Sequence, residues 1–286
     1  PAGEPMPIAI VIGADQPSHL SSTATFRIGG DEVELAGGLG ERAVELVKCE
    51  TSDLYVPASA EIVVEAEIYP DKIAQEGPYG EYPGYRSGEM GNSVCARVTA
   101  ITHRKDPIFT IDTTGFMDSS AVTTSISGAI AIRRRLERYD IPVSEVYIPP
   151  ESGVHMAIVS VRRGGPDIAQ KVVEILTARR ALMSKIIVVD EDVDVFNMSA
   201  VIHAFSTKCH PERGTHVHTY EGRANALTPA YSQEERVNQL GASVAFDATW
   251  PPDWPVGSTP IRATLDSMYS QDVQDRVNAR WNKLGL

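Results

Sequence analysis

The chain has 286 residues, 42% of them hydrophobic and 22% charged, the balance of a globular protein with room for one large domain or two modest ones. Lys plus Arg number 26 and Asp plus Glu 38, a formal charge of −12 that repels phosphate backbones and argues against nucleic-acid binding. No apolar run approaches the ~18 residues of a membrane span, and three scattered cysteines (Cys49, Cys95, Cys209) without C-x-x-C exclude a disulfide framework and a zinc knuckle and suit a reducing cytosol.

The first apolar run, Pro7-Ile-Ala-Ile-Val-Ile12, reads as a buried strand. A chain that opens directly into a core strand reads either as trimmed or as the C-terminal part of a longer protein. Residues 40–47 carry a short helical pattern. Glu61–Ile68, Ser93–Thr102 and Ile108–Thr113 are rich in β-branched residues and read as strands. Residues 76–92, dense in Gly, Pro and Tyr, form a long loop of the kind that carries function.

The grammar changes after residue 118. Residues 121–138 read as a helix, with Arg133-Arg134-Arg135 placed to suit its C-terminal dipole. Val146-Tyr-Ile, Met156–Val161 and Lys185–Val189 read as strands, and residues 166–182 and 199–205 as helices. Strand, helix, strand at this spacing predicts a small α/β domain. Residues 206–265 read as loop-rich cover, and 270–284 as an amphipathic terminal helix.

Several constellations carry chemistry. Glu76-Gly-Pro-Tyr-Gly-Glu81 sets two carboxylates five residues apart on a turn fixed by glycines and proline. Neighbouring acids can serve as general acid and ion-paired partner when their surroundings differ. Gly29-Gly-Asp-Glu-Val-Glu34 reads as a polar turn whose acids suit a hard cation. His216-Val-His218 puts two imidazoles on one face, more simply read as polar loop histidines than as a metal site. Asp190–Asp194 lacks the glycine and closing glutamate of an EF-hand and reads as capping and turn residues. Cys209, beside Lys208 and His210, is a weak nucleophile candidate whose neighbouring cations would lower its pKa.

These motifs converge on a family. Val47-Lys-Cys-Glu-Thr-Ser-Asp-Leu-Tyr-Val-Pro-Ala-Ser-Ala-Glu-Ile-Val-Val-Glu65, followed by the Glu76–Glu81 loop, closely resembles the UbiD-like decarboxylases that use prenylated FMN. Pro5–Asp15, Ala204–Lys208 and Phe246–Thr249 match in the same order. Members of the family are longer, and this chain resembles their C-terminal three-fifths. The resemblance implies an α+β protein. Residues 1–118 would be the C-terminal part of a split β-barrel, flavin-reductase-like cofactor domain. Residues 119–138 would be a linker helix, 139–230 a small α/β oligomerisation domain, and 231–286 an extension with a terminal helix.

The resemblance also implies roles. Glu81 would be the proton donor to the carbon that loses CO₂, and Glu76 the partner of an arginine that lies outside this sequence. Glu32 would ligate a divalent metal, Mn or Mg, that clamps the cofactor phosphate. Ser21 and Ser22 would lie at a potassium site through their backbone. Tyr82, Ala121 and Ser125 would line the substrate pocket, the two small residues leaving room for a ring system larger than a simple cinnamate. The implied reaction is reversible non-oxidative decarboxylation of an aromatic, heteroaromatic or α,β-unsaturated carboxylic acid through a covalent adduct with prenylated FMN. The implied setting is a cytoplasmic homodimer or larger homo-oligomer, supplied by a flavin prenyltransferase. The competing expectation is an inactive fragment or assembly subunit. A flavin oxidoreductase is disfavoured, because no G-x-G-x-x-G follows a strand.

Overall fold

The computed structural model describes residues 3–24, 29–86, 91–163, 165–179, 183–255 and 257–284. They divide into two units, Pro1–Thr249 and Trp250–Leu286.

The first unit begins with strand β1 (Met6–Ile12), helices α1 (Gln16–Ser22) and α2 (Glu32–Leu39), and the short pair β2 (Leu46–Lys48) and β3 (Tyr55–Pro57). Two long strands follow, β4 (Ile62–Gln75) and β5 (Asn92–His103). β4 pairs antiparallel with β1 on one side and with β5 on the other, in register from Met6↔Ile68 to Ile12↔Ile62 and, with two irregularities, from Ile62↔His103 to Gln75↔Asn92. Val56 and Val63 pack with Cys49 in a small core beneath this sheet. Glu65 is the buried exception, at 1% exposure. It accepts the backbone N–H groups of Glu50 and Thr51, each at 2.7 Å, and the Thr51 hydroxyl at 2.5 Å. Those bonds, the Thr51 hydroxyl foremost, hold its carboxyl below the usual range against the pull of burial.

Helix α3 (Ser119–Glu137) leads into the second half. Asp118 caps it, accepting from the Ala121 N–H at 2.7 Å. Beyond it lie β6 (Val143–Tyr147), a 3₁₀ turn (Pro150–Ser152), β7 (Met156–Val161), α4 (Ile168–Thr177), β8 (Lys185–Asp190), α5 (Met198–Lys208), β9 (Thr215–Tyr220), α6 (Gln233–Asn238) and β10 (Gly241–Ala248). The five strands form one sheet in the order β6-β7-β8-β10-β9. β7, β8 and β10 are parallel, and the two edge strands run antiparallel. Leu136, Val172, Val173 and Ile168 cover one face with Val159, Val161, Ile186 and Val188. Val201 and Ala204 of α5 cover the other with Ile158, Ile187 and Val189. Both faces are covered, which is why β7 and β8 read as unbroken apolar runs. Burying each of these Val, Leu and Ile side chains contributes about 1.5–3 kcal/mol.

In the second unit, α7 (Leu265–Met268) precedes α8 (Gln271–Leu284), the amphipathic terminal helix the sequence predicts. Val273, Gln274 and Val277 are half-buried, whereas Trp281 and Leu284 of the predicted apolar stripe are 55% and 69% exposed.

Four expectations need correcting. Residues 40–47 are not helical; the helix is α2, on the stretch read as a polar turn. Asp31 caps it by accepting from the Val33 N–H at 2.7 Å, and Glu32 and Glu34 suit its first turn. The segment 108–113 has no regular secondary structure and joins no sheet among the described residues, and Ile108, Phe109 and Ile111 are 64–70% exposed. Strand sequence alone does not make a strand without a partner ladder. Residues 206–265 are not mere cover, for they contain β9 and the interior strand β10, so the sheet runs past residue 230 to Ala248. Cys209 also departs from expectation: burial and the nearby Asp247 carboxylate push its thiol up rather than down, which removes it as a nucleophile.

Candidate active site

The loop from β4 to β5 is the centre of interest. Glu76 directly follows Gln75, whose backbone pairs with Asn92, so the hairpin sets its position. Its own N–H donates to the Gly91 carbonyl at 3.3 Å. Ser93, the next residue along β5, donates its hydroxyl to Glu76 Oε2. Tyr79 donates its hydroxyl to Glu76 Oε1 at 3.2 Å.

Gly77 has φ 70°, which favours glycine, and the Gly77-Pro78 bond is cis. Residues 80–86 then make a small turn of their own. Gly80 bridges Arg86, the Glu81 N–H donates to the Tyr85 carbonyl at 3.0 Å, and the Gly84 N–H donates to the Glu81 carbonyl at 2.9 Å. A Cβ at Gly80 would stand 3.0 Å from the Thr114 carbonyl oxygen, a tight contact that glycine avoids where the loop passes residue 114. Glu76 and Glu81 are both half-buried. The Tyr79 hydroxyl is pushed above its ordinary value by burial first, then by the Glu76 and Glu81 carboxylates, with which it also hydrogen-bonds.

Tyr82 leaves the loop in the other direction. It packs against the core under the five-stranded sheet, and its ring stacks on His155 with centroids 6.1 Å apart. Asn225 donates to its hydroxyl at 2.9 Å. His155 is 8% exposed; Nδ1 contacts the Gly153 carbonyl at 2.6 Å, while Nε2 is buried without a hydrogen-bond partner among the described residues. Burial pushes its pKa below the usual histidine value. Ala121, at 0% exposure, belongs to the same core as Tyr82's neighbours, and Ser125, at 5%, bonds back to the Ala121 carbonyl at 2.6 Å. Both small residues therefore sit on the packed face of α3. Asn225 and His155 are contacts the sequence did not reveal, since neither belongs to a motif.

Glu32 lies at the exposed first turn of α2, away from any ion pair among the described residues. Ser21 and Ser22 end α1; Ser21 is buried with its hydroxyl on the Pro17 carbonyl, and the Ser22 hydroxyl is spent on the His19 carbonyl. A helix C-terminus leaves carbonyl oxygens without intrahelical partners, which are suitable cation ligands. His216 and His218 flank a cavity of about 310 Å³ with Gln170 and Glu174, but no three His, Cys, Asp or Glu side chains cluster for a metal among the described residues. Asp194 accepts the Phe196 N–H at 3.0 Å in a turn, as expected, but the cap of α5 is Asn197, and Asp190 and Asp192 instead pair with Lys208 at 2.8 Å and 3.5 Å.

Two family models match the chain. The 3-octaprenyl-4-hydroxybenzoate carboxy-lyase Rift-related domain covers residues 1–116, and the C-terminal domain of the same carboxy-lyases covers residues 122–248. The chain belongs to the UbiD family. Among solved structures it is similar to the UbiD-class enzyme HmfF from Pelotomaculum thermopropionicum in complex with FMN. That match has 29% identity and a TM-score of 0.81, over 95% of this chain and 60% of that one. An evolved dimeric form of HmfF, in complex with prFMN, aligns at 28% identity with a TM-score of 0.74, over 95% and 58% of the two chains. The vanillic acid decarboxylase of Sedimentibacter hydroxybenzoicus in its open form aligns at 27% identity with a TM-score of 0.76, over 99% and 59%. This UbiD-family chain thus spans about three-fifths of the structures it matches. As in those UbiD-class folds, its sheets and helices form a mixed α+β architecture. No helix among its described residues is long and apolar enough to cross a membrane.

Proposed function

We propose that this chain carries the proton-delivering part of a UbiD-class decarboxylase acting on an aromatic, heteroaromatic or α,β-unsaturated carboxylic acid. The observation that supports it is the Glu76–Tyr79–Glu81 loop, which holds two carboxyl groups on one rigid hairpin end. HmfF, as its FMN and prFMN complexes are described, binds a flavin, and the Sedimentibacter enzyme is a vanillic acid decarboxylase; both support the reading.

The donor set suits the cofactor the family implies. Glu32 offers a hard carboxylate oxygen, and Mg²⁺ or Mn²⁺ is held by one or two carboxylates together with a phosphate. Glu32, with Ser22, would help hold the divalent metal, and the backbone carbonyls at Ser21 and Ser22 would offer oxygens to a potassium ion of its own. Prenylated FMN, when bound, supplies the electron sink for the carbanion that loss of CO₂ leaves. Glu81 carries the proton and delivers it to the vacated carbon. Glu76, fixed by Ser93 and Tyr79, presents its carboxylate to an arginine from outside this sequence. Tyr82, held by Asn225 and His155, would border the substrate side, with Ala121 and Ser125 packed on α3 behind it. The working enzyme would be a cytoplasmic homo-oligomer furnished with cofactor by a flavin prenyltransferase. General acids contribute about 10²–10⁴-fold. Changing Glu81 to Gln should therefore abolish CO₂ release from the flavin-loaded protein while leaving its circular dichroism unchanged; full activity in that variant would refute the assignment.

A further inference from the structure

The C-terminal unit, Trp250–Leu286, has no core of its own: among the described residues none beyond Thr249 is buried. A lone helix the length of α8 is marginal in water, and an amphipathic helix is held by packing its apolar face. α8 has such a face. Val273, Val277, Trp281 and Leu284 recur at three- to four-residue spacing, and the last two stand largely in solvent. Gln274 ties the first half of the helix to α7, its amide donating to the Tyr269 carbonyl at 2.8 Å and the Asp266 carbonyl at 3.3 Å.

Charge decides what covers that face. Four acids and four bases lie beyond residue 249, so the chain's formal charge of −12 falls wholly before it. This neutral stretch is where two acidic copies meet at least electrostatic cost. Within α8 the charges are polarised along the axis: Asp272 and Asp275 lie in the first two turns, Arg280 and Lys283 in the last two. Asp272 and Lys283 are about three turns apart and share one flank of the apolar stripe. Laid antiparallel on itself, with a two-fold axis near Val277 and Asn278, the helix opposes Asp272 to the partner's Lys283 and joins the two stripes. A parallel pair would set like charges together.

We propose that α8 is a self-docking surface. Two copies of this chain associate through an antiparallel α8 pair, sealed by Val273, Val277, Trp281 and Leu284 and oriented by Asp272 and Lys283. Each helix is about 21 Å long. Their contact therefore lies at the weak, reversible end of protein interfaces, below about 1,200 Å². The proposal names one surface of the homo-oligomer inferred above and rests on that reading; it needs neither cofactor nor catalysis.

Sedimentation velocity of the 286-residue chain, from about 1 to 300 μM, should show reversible association. Asp272→Lys and Lys283→Asp should each raise the dissociation constant by about tenfold, since each creates two like-charge contacts per dimer. The double variant Asp272→Lys/Lys283→Asp should restore it. Local effects on the helix predict the reverse, because the double variant opposes the helix dipole at both ends. Trp281→Ser should abolish the association, and circular dichroism checks that every variant is folded. A double variant weaker than either single one, or an association unmoved by all of them, overturns the α8 pair and leaves the homo-oligomer to another surface. A chain monomeric throughout overturns the pair and the homo-oligomer reading together. Hydrogen exchange then tells the other occupants apart: protected α8 amides mean cover from its own chain, unprotected ones a different protein.

Discussion

Asn225 donates its side-chain amide to the Tyr82 hydroxyl at 2.9 Å, tying the glutamate loop to a turn 143 residues further along the chain. Asn225 is 2% exposed, and its own Oδ1 accepts the Leu227 N–H at 3.1 Å. The loop that holds Glu81 is therefore anchored from both ends: to β5 through Ser93 and Glu76, and to the five-stranded half through Tyr82.

Removing that anchor should loosen the loop. Asn225→Ala leaves the Tyr82 hydroxyl and the Leu227 N–H without these partners, at a cost of about 1–3 kcal/mol. Urea denaturation should show the midpoint falling with an unchanged m-value. Tyr82→Phe, which removes the same bond from the other side, should recover part of the loss in the double variant; strictly additive losses would show the two groups do not interact.

Gly80 tests how closely the loop must approach residue 114. A Cβ there meets the Thr114 carbonyl oxygen at 3.0 Å, and backbone cannot give way as a flexible side chain can. Gly80→Ala should shift the loop and lower kcat, by less than the roughly 10²-fold that a misplacement of about 1 Å costs. A drop in kcat larger than the drop in stability would bear this out; an unaffected kcat would show that the approach does not matter.

Glu65 holds the 50–51 turn against β4. Glu65→Gln replaces an acceptor with an amide donor opposite backbone N–H groups and should cost about 1–3 kcal/mol. The pH dependence has a definite sign. The folded-state pKa of Glu65 is depressed, so its contribution is present above the ordinary carboxylate range and is lost as pH falls through the folded value. Stability of wild type should therefore decline in acid more steeply than that of Glu65→Gln.

His155 adds a second acid-sensitive element at a higher pH. Its pKa is lowered by burial, so the folded state resists its protonation, and stability is lost as pH falls below the free histidine value of 6.5 toward the folded one. His155→Phe keeps a ring against Tyr82 and removes the titration. The loss of stability just below pH 6.5 should shrink in that variant; an identical pH profile would exclude His155 as its source.

The sequence made the local features legible and left the distant ones hidden. The two glutamates and their loop stood out because Gly, Pro and Tyr within a few residues dictate the turn. α3, β7 and β8 stood out because covered strands and one-faced helices write their periodicity plainly. α2 escaped notice because Gly37 and Gly38 mask its helical pattern. β10 escaped because Gly241-Ala-Ser-Val-Ala-Phe-Asp-Ala248 is poor in β-branched residues and owes its strand to pairing with β8 and β9. Ile108–Thr113 misled for the opposite reason, having strand composition without a ladder. Asn225, His155 and Glu65 act through contacts between distant segments, which no local pattern encodes.

The most direct measurement follows decarboxylation in deuterium oxide. The protein, produced alongside a flavin prenyltransferase and loaded with prenylated FMN, is given an unsaturated or aromatic carboxylic acid, and both CO₂ release and deuterium at the vacated carbon are recorded. The account predicts that wild type releases CO₂ and places one deuterium there, and that folded Glu81→Gln does neither. CO₂ release and deuterium incorporation at wild-type rates in Glu81→Gln would contradict it.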